Sequence, residues 1–416
     1  MTVPTYAEMV RVFGRIGLLS FGGPAAQIAL MERELVEERP WLEERSFLRA
    51  LSLCMLLPGP EAMQLATYCG WRLRGVPGGL LAGLLFVLPG AAIIACLVGL
   101  YATYGELPLV QSVFLGVKAA VVVIVLQALR NLARRALSGT TDYVIAGLGF
   151  LALFALNLPF PLVIAAAALW GLLSAQPGPQ PDRPPKQAAR PLQTLCLWSA
   201  IWLLPLIALS FSGQTLLAEI GWFFAKLAVV TFGGAYAVLA YMTQAVVQEF
   251  NWISTAQMID ALGLAETTPG PLILVTQFVA MLTGQLQGGA GLALLAGLVA
   301  LWATFAPCFL WIFLAAPYLD RIAAQPRLAA ALRAISAAVV GVILNLSIWF
   351  ALHVLFGSVN KDATALISLP LPDPATFNPH AAVMILAAMA IMWGLKQGLG
   401  RTLSLLALAG AASHYI

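Results

Sequence analysis

Three basic residues stand inside apolar sequence, where a charge needs a reason. Arg15 lies five residues before Ser20, Lys226 lies five before Thr231, and Lys118 interrupts the run LGVKAAVVVIV. On insertion scales a charge at the centre of a bilayer costs about 2.5–3.5 kcal/mol. Two readings of Arg15 and Lys226 stay open. Either both aim at a bound dianion, or both snorkel to an aqueous interface with their stems along apolar surface. Lys118 either lines a path for an ion or pairs internally with a carboxylate. Glu61 directly follows Pro58-Gly59-Pro60, and Glu266 lies three residues before Pro269-Gly270-Pro271. Beside an anion a carboxylate is repulsive unless protonated or paired, which makes both acids candidates for proton coupling. The alternative is a salt bridge to Arg15, Lys118 or Lys226. Gln64, Gln127, Gln277 and Asn345 either solvate a cavity or make interhelical hydrogen bonds.

The motifs around these charges are helix breakers. The stretches 46–57 and 60–74 are separated by Pro58-Gly59-Pro60. Twelve residues of helix cover roughly 18 Å, against a hydrocarbon core of about 30 Å. Proline cannot donate to the helix ladder, and Pro58 disfavours helical geometry at Leu57. Two half-helices meeting at a broken tip are therefore expected, and the same holds for 5–20 and 24–38 around Phe21-Gly22-Gly23-Pro24. A half-helix N-terminus carries unpaired N–H groups and partial positive charge, and glycine lets backbone approach a ligand. Four such ends would form an anion cradle from Ser20, Gly22, Gly23, Pro58, Gly59, Thr231, Gly233, Gly234, Thr268 and Gly270, with Thr267 as a further donor. The competing reading is that these motifs only allow tight helix crossings. Four motifs at matched positions favour the cradle.

The elements that must position these groups belong to a membrane. Of 416 residues, 61% are hydrophobic and 10% charged, and the mean hydropathy is +0.90. A soluble domain carries about 25% charged residues, so a cytosolic enzyme, a nucleic-acid binder and a disordered chain are excluded. The expected class is an all-α polytopic membrane protein. The net charge of +4 advertises no acidic partner. Cys54, Cys69, Cys96, Cys196 and Cys308 read as small core residues, and His353, His380 and His414 share no spacing that would hold a metal. No cofactor is expected. The N-terminal segment shows no removable signal peptide.

The chain is one motif written twice. A shift of 211 lays Phe13–Pro60 over Phe224–Pro271 without a gap, and sixteen of those 48 positions are identical. SFGG falls on TFGG, Trp41 on Trp252 and PGP on PGP, and with seven more residues of shift Ala119–Val122 meets Ala337–Val340. Residues 1–175 form a first transmembrane repeat, 176–192 a Pro-rich cytoplasmic linker, and 193–416 a second repeat with one extra leading helix. Full spans are expected near 79–103, 109–130, 193–211, 289–314 and 334–355. Shorter hairpins are expected at 142–157 with 160–175 and at 379–395 with 399–414. Trp41 and Trp252 fit interfacial anchors.

The positive-inside rule places Arg72, Arg74, Arg130, Arg134, Arg135 and the linker in the cytoplasm. The outward loop near Glu106 has a basic counterpart at 315–333, and the segment 356–378 is the outward counterpart of the Arg130–Arg135 loop. The halves therefore have opposite orientation, with the N-terminus inside and the C-terminus outside. Inverted repeats with broken helices are the architecture of many secondary transporters, which bind substrate near the midplane.

In FGRIGLLSFGGPAAQIALME, LLPGPEAMQLATYCGWRLRG and VVTFGGAYAVLAYM, the chain resembles the prokaryotic chromate ion transporter family in its long, two-half form. That resemblance implies a bacterial inner-membrane protein that exports chromate, confers resistance, and is driven by the membrane potential or a proton gradient. It carries the family motifs onto Gly22, Gly23, Pro58, Gly59 and Pro60 and their second-half partners, with Ala235 replacing the proline of FGGP. Sulfate or another small dianion is the alternative substrate, because tetrahedral dianions demand similar donors. A membrane enzyme would need a nucleophile–base pair or metal ligands within the spans, and a scaffold would not need broken helices. The partners implied are the small ion and the lipid bilayer, with no nucleic acid, and a homodimer on the frequency of two-fold assemblies alone.

Overall fold

The computed structural model describes residues 4–175, 190–232, 235–319, 322, 325–360 and 369–413. Nearly all of the Pro-rich linker lies outside them. The first half opens with α1 (Tyr6–Leu19), started by a capping box in which Thr5 and Glu8 exchange hydrogen bonds. Then come α2 (Gly23–Glu32), which runs on into a π-helical turn at Arg33–Glu37, and α3 (Glu44–Leu56). Next are α4 (Glu61–Tyr104), α5 (Pro108–Ala136), α6 (Thr140–Phe154) and α7 (Phe160–Ser174). The second half adds α8 (Pro191–Phe211) and then repeats the plan with α9 (Thr215–Val230), α10 (Ala235–Gln244) with its own π-helical turn at Ala245–Glu249, and α11 (Thr255–Thr267). It closes with α12 (Val275–Ala315), α13 (Pro326–Leu355), α14 (Pro379–Met389) and α15 (Leu399–Ser413).

Among the described residues five helical stretches are long and apolar enough to cross a membrane: Glu61–Tyr104, Pro108–Ala136, Pro191–Phe211, Leu272–Tyr318 and Pro326–Leu355. Each contains one of the expected spans. The breaks fall where proline and glycine put them. Between α1 and α2, Gly22 and Gly23 take φ of +88° and +81°. The helices α4 and α12 are themselves interrupted, at Arg74-Gly75 and at Gly288-Gly289. Each PGP motif is thus followed by a half-helix, 61–73 or 275–287, before a spanning rod begins. In the second copy a short 3₁₀ turn, Leu272–Leu274, precedes that half-helix.

The chain folds into two compact units that ignore the repeat boundary. One comprises residues 1–99, 176–235 and 268–329, the other 100–175, 236–267 and 330–416. In the first unit α12 packs along α8 and α9. Trp202 Nε1 donates to the Ala303 carbonyl at 3.1 Å, and Trp302 Nε1 donates to the Trp202 carbonyl at 3.2 Å. In the second unit α5 packs along α14, α15 and α11. The approach is close because Gly116 faces the Leu406 carbonyl and Gly410 faces the Ser112 carbonyl, with no room for a Cβ at either. Arg333 clamps Asp142 through Nη2 at 2.8 Å and Nε at 3.2 Å and reaches Ser138 Oγ at 2.8 Å. Two expectations fail here. Trp252 is buried and stacks on Phe250, so it is no interfacial anchor. Cys96 and Cys196 are exposed, while Cys54, Cys69 and Cys308 are buried.

Gly116→Val should force α5 from α15 and cost about 1–3 kcal/mol or more, read as a lower melting temperature in detergent. Gly147→Val, whose Cβ meets open space, should be silent.

Candidate functional site

The FGG and PGP tips meet in the first unit, and they are tied across the two halves. The Gly59 N–H donates to the Thr231 carbonyl at 2.9 Å, and the Gly270 N–H donates to the Ser20 carbonyl at 3.0 Å. These bonds map onto each other under the 211 shift. A helix-ending carbonyl in one copy therefore finds its donor in the PGP turn of the other. Gly59 and Gly270 take φ of +116° and +94°, which favours glycine at both turns. Neighbours close the space around them. A Cβ on Gly59 would stand 2.9 Å from Gln64 Nε2 and 3.0 Å from Cys308 Sγ, while Gly90 lies so close to the Pro269 carbonyl that it has no room for a Cβ. Pro89-Gly90 and Pro307-Cys308 are themselves matched under the longer shift of 218.

Glutamines complete the tips. Gln27 Nε2 donates to the Gly270 carbonyl at 2.7 Å and to the Ser20 carbonyl at 3.2 Å, and Gln64 Nε2 donates to the Pro58 carbonyl at 2.6 Å. Gln277 Nε2 donates to the Ala91 carbonyl at 3.0 Å. Among the described residues the Oε1 atoms of all three are buried without a hydrogen-bond partner.

The expected donor set needs correction. The Ser20 hydroxyl donates to the Ile16 carbonyl and the Thr231 hydroxyl to the Leu227 carbonyl, both at 2.5 Å. Both protons are committed within their own helices, as are the Gly59 and Gly270 N–H groups across the halves. The tip N–H groups that lack intrahelical acceptors by construction are those of the first turns beyond Gly22 and Pro60. Thr268 is buried beside the second PGP, while Thr267 is exposed and donates to the Leu264 carbonyl. Gly233 and Gly234 lie outside the described residues.

The three cations have unlike surroundings. Arg15 Nη1 lies 3.3 Å from Glu34 Oε1, and Arg39 Nη1 lies 2.6 Å from Glu34 Oε2, with Glu34 fully buried. Arg15 therefore balances an internal carboxylate, with half of its side chain exposed. Its counterpart Lys226 is exposed, and the counterpart of Glu34 is Ala245, so this cluster exists in one copy only. In the second unit Lys118 Nζ lies 3.0 Å from Asp260 Oδ1, and the Tyr101 hydroxyl donates to Asp260 Oδ2 at 2.8 Å. Of the two readings of Lys118, the structure selects internal pairing. Glu61 opens the half-helix after the first PGP and is half-buried, a place where the helix dipole favours an acid. Glu266 is buried in the last turn of α11 and accepts a 2.8 Å hydrogen bond from the Tyr236 hydroxyl, not the salt bridge weighed for it.

Sequence reasoning missed Asp260, Tyr101, Glu34 and Tyr236. Asp260 was within reach, as a lone acid in the apolar run MIDALGLA. The repeat hid it, because its counterpart is Arg49. Tyr236 gives no signal, since its partner Glu266 is thirty residues away.

Paired broken helices, apolar spans and a duplicated plan define the class: a polytopic membrane transporter built from two related halves. The chain belongs to the chromate transporter family, whose model matches residues 7–172 and again 218–414. It is 33% identical to the chromate transport protein of Cupriavidus metallidurans over 374 residues, 88% of each chain. It is 30% identical to the probable chromate transport protein of Synechococcus elongatus over 407 residues, covering 94% of this chain and 97% of that one. A chromate transport protein of Pseudomonas aeruginosa is 30% identical over 349 residues, 82% of this chain and 79% of that protein. No solved structure matches it significantly.

The buried pair gives a direct test. Asp260→Leu leaves Lys118 uncompensated and should destabilise the protein by about 3–5 kcal/mol, whereas Lys118→Met with Asp260→Leu should recover most of that loss. Thermal unfolding in detergent distinguishes the two.

Proposed function

We propose that this chain is a secondary transporter of the cytoplasmic membrane that exports chromate. Residues 1–175 and 193–416 are its two halves, in opposite orientations, joined by a cytoplasmic linker at 176–192. The N-terminus is cytoplasmic and the C-terminus extracytoplasmic. The reciprocal tie of Gly59 to Thr231 and Gly270 to Ser20 carries this reading, because it brings the PGP turns and the helix ends at Ser20 and Thr231 from both copies to one place. The contact of Arg333 with Ser138 and Asp142 supports the inversion, since charge counting assigns both segments to the cytoplasmic end.

The ion is held near the midplane by first-turn N–H groups around Gly22, Gly23, Pro58, Gly59, Thr268 and Gly270, with Gly233 and Gly234 as the matching positions of the second copy. Lys226, exposed at the position that matches Arg15, supplies a cation. Helix ends, more than full charges, do the holding. Moving a dianion out of a negative-inside cell is electrically downhill by roughly 4.6 kcal/mol at 100 mV. Glu266, hydrogen-bonded to Tyr236 and lacking a basic partner in that contact, is the coupling carboxylate, and Glu61 is the acid that a proton must neutralise when an anion occupies the first tip.

Inverted membrane vesicles carrying the protein should accumulate radiolabelled chromate above protein-free vesicles, with unlabelled sulfate competing weakly. Equal accumulation overturns chromate export, and label uptake from sulfate alone redirects the substrate. Glu266→Gln should flatten the pH dependence of uptake while membrane insertion is kept. An unaltered pH profile removes Glu266 from coupling.

A further inference from the structure

A polar cavity of about 110 Å³ lies wholly within the second unit. One water needs only ~10–15 Å³ on this measure, so there is room for a small ion. Thr243, Gln244 and Gln248 line it from α10 and its π-helical turn, and Asn345, Trp349 and His353 line it from α13. Thr243 is 3% exposed, and its hydroxyl has no hydrogen-bond partner among the described residues. That is a departure from its neighbours in kind. Ser20, Thr231, Thr283 and Ser347 each donate to the carbonyl four residues back, the usual refuge of a helix hydroxyl. His353 Nδ1 donates to the Trp349 carbonyl at 2.8 Å, so that proton is committed, and the donor-bearing side chains that line the cavity include the Thr243 hydroxyl and the amides of Asn157, Gln244, Gln248 and Asn345. Among the described residues no carboxylate lines it.

The repeat shows what was replaced. Under the 211 shift Thr243, Gln244 and Gln248 stand where the first copy has Glu32, Arg33 and Glu37. One copy thus ends in charges, the other in neutral hydrogen-bond donors that surround a void. A buried hydroxyl without a partner is costly, and water or an acceptor-rich guest relieves that cost. A metal cation would want carboxylates, and an apolar guest would want apolar walls.

We infer that this cavity is a second, weaker station for a tetrahedral oxyanion, held by the Thr243 hydroxyl and the amides of Gln244, Gln248 and Asn345. The inference rests on the exporter reading for the identity of the ion. Neutral donors hold an oxyanion about half as strongly per bond as charged ones, and a transported ion must be able to leave. The cavity also adjoins Val359 and Pro370, in the segment that charge counting places outside, where departure occurs.

Equilibrium dialysis of the purified full chain against radiolabelled chromate should reveal two classes of site. Thr243→Val with Asn345→Leu should weaken only the weaker class, by about tenfold or more, and leave the tighter one unchanged. Gln244→Leu with Gln248→Leu, at half-buried and exposed positions, should do the same and guards against misfolding of the first variant. A single class in the wild type, or an unchanged isotherm in both variants, overturns the inference, and water is then the only occupant. Uptake into inverted vesicles is measured in parallel. Wild-type uptake with unaltered variant isotherms defeats the second station alone, whereas absent wild-type uptake defeats the exporter reading.

Discussion

A helix interrupted within a membrane leaves carbonyls at one end and N–H groups at the other, and hydrocarbon satisfies neither. In this protein the interruptions are completed across the duplication. Ser20 and Thr231 end their helices with carbonyls that accept from Gly270 and Gly59, respectively. The bond requires glycine at the donor, because the PGP turn holds a positive φ there. It also requires a small residue on the rod behind the turn, which explains Gly90 under Pro269 and the tight approach of Cys308 to Gly59. A single backbone requirement thus accounts for four motifs, for the mixing of both copies in one compact unit, and for the glutamines that seal the remaining carbonyls.

The same economy governs charge. A buried ion needs a partner more than it needs a function. Arg15 and Arg39 neutralise Glu34, and Lys118 neutralises Asp260, which also accepts a hydrogen bond from the Tyr101 hydroxyl. In the proposed site, what is left to attract an anion at the tips is mostly partial charge from helix ends. A site built that way suits a transported ion. Partial charges arranged in fixed geometry recognise a tetrahedral dianion without the deep well that two desolvated cations would create.

Much of this was legible in the sequence because the signals are local. Proline and glycine act on their own backbone, so the breaks at Gly22 and Gly59, the half-helix up to Arg74 and the long spans followed directly. The repeat was legible because Trp, FGG and PGP stay in register. Partnerships were not legible. Whether Ser20 turns its hydroxyl toward a ligand or toward Ile16, and whether Lys118 faces a path or Asp260, depends on elements far apart in sequence. The repeat even misled at this level. Matching Arg15 to Lys226 suggested a shared task, yet Glu34 is replaced by Ala245 in the second copy, so the matched cations have unmatched surroundings.

That contrast separates what duplication conserves from what it frees. The backbone ties persist in both copies because neither half can satisfy its tips alone. Side chains that do not serve the ties have diverged, with Glu32, Arg33 and Glu37 opposite Thr243, Gln244 and Gln248, and Ala25 and Met55 opposite the hydrogen-bonded Tyr236 and Glu266. Two copies in opposite orientation with identical side chains would present the same affinity to both sides of a membrane. In the proposed opposite orientation, divergence would let the two sides bind differently. It cannot set the direction of net transport, since the equilibrium belongs to the ion gradient and the membrane potential and not to the carrier. What unlike ends can set is the concentration at which each side loads and releases, and a charged network on one copy against neutral amides on the other is a physical means of making those concentrations differ.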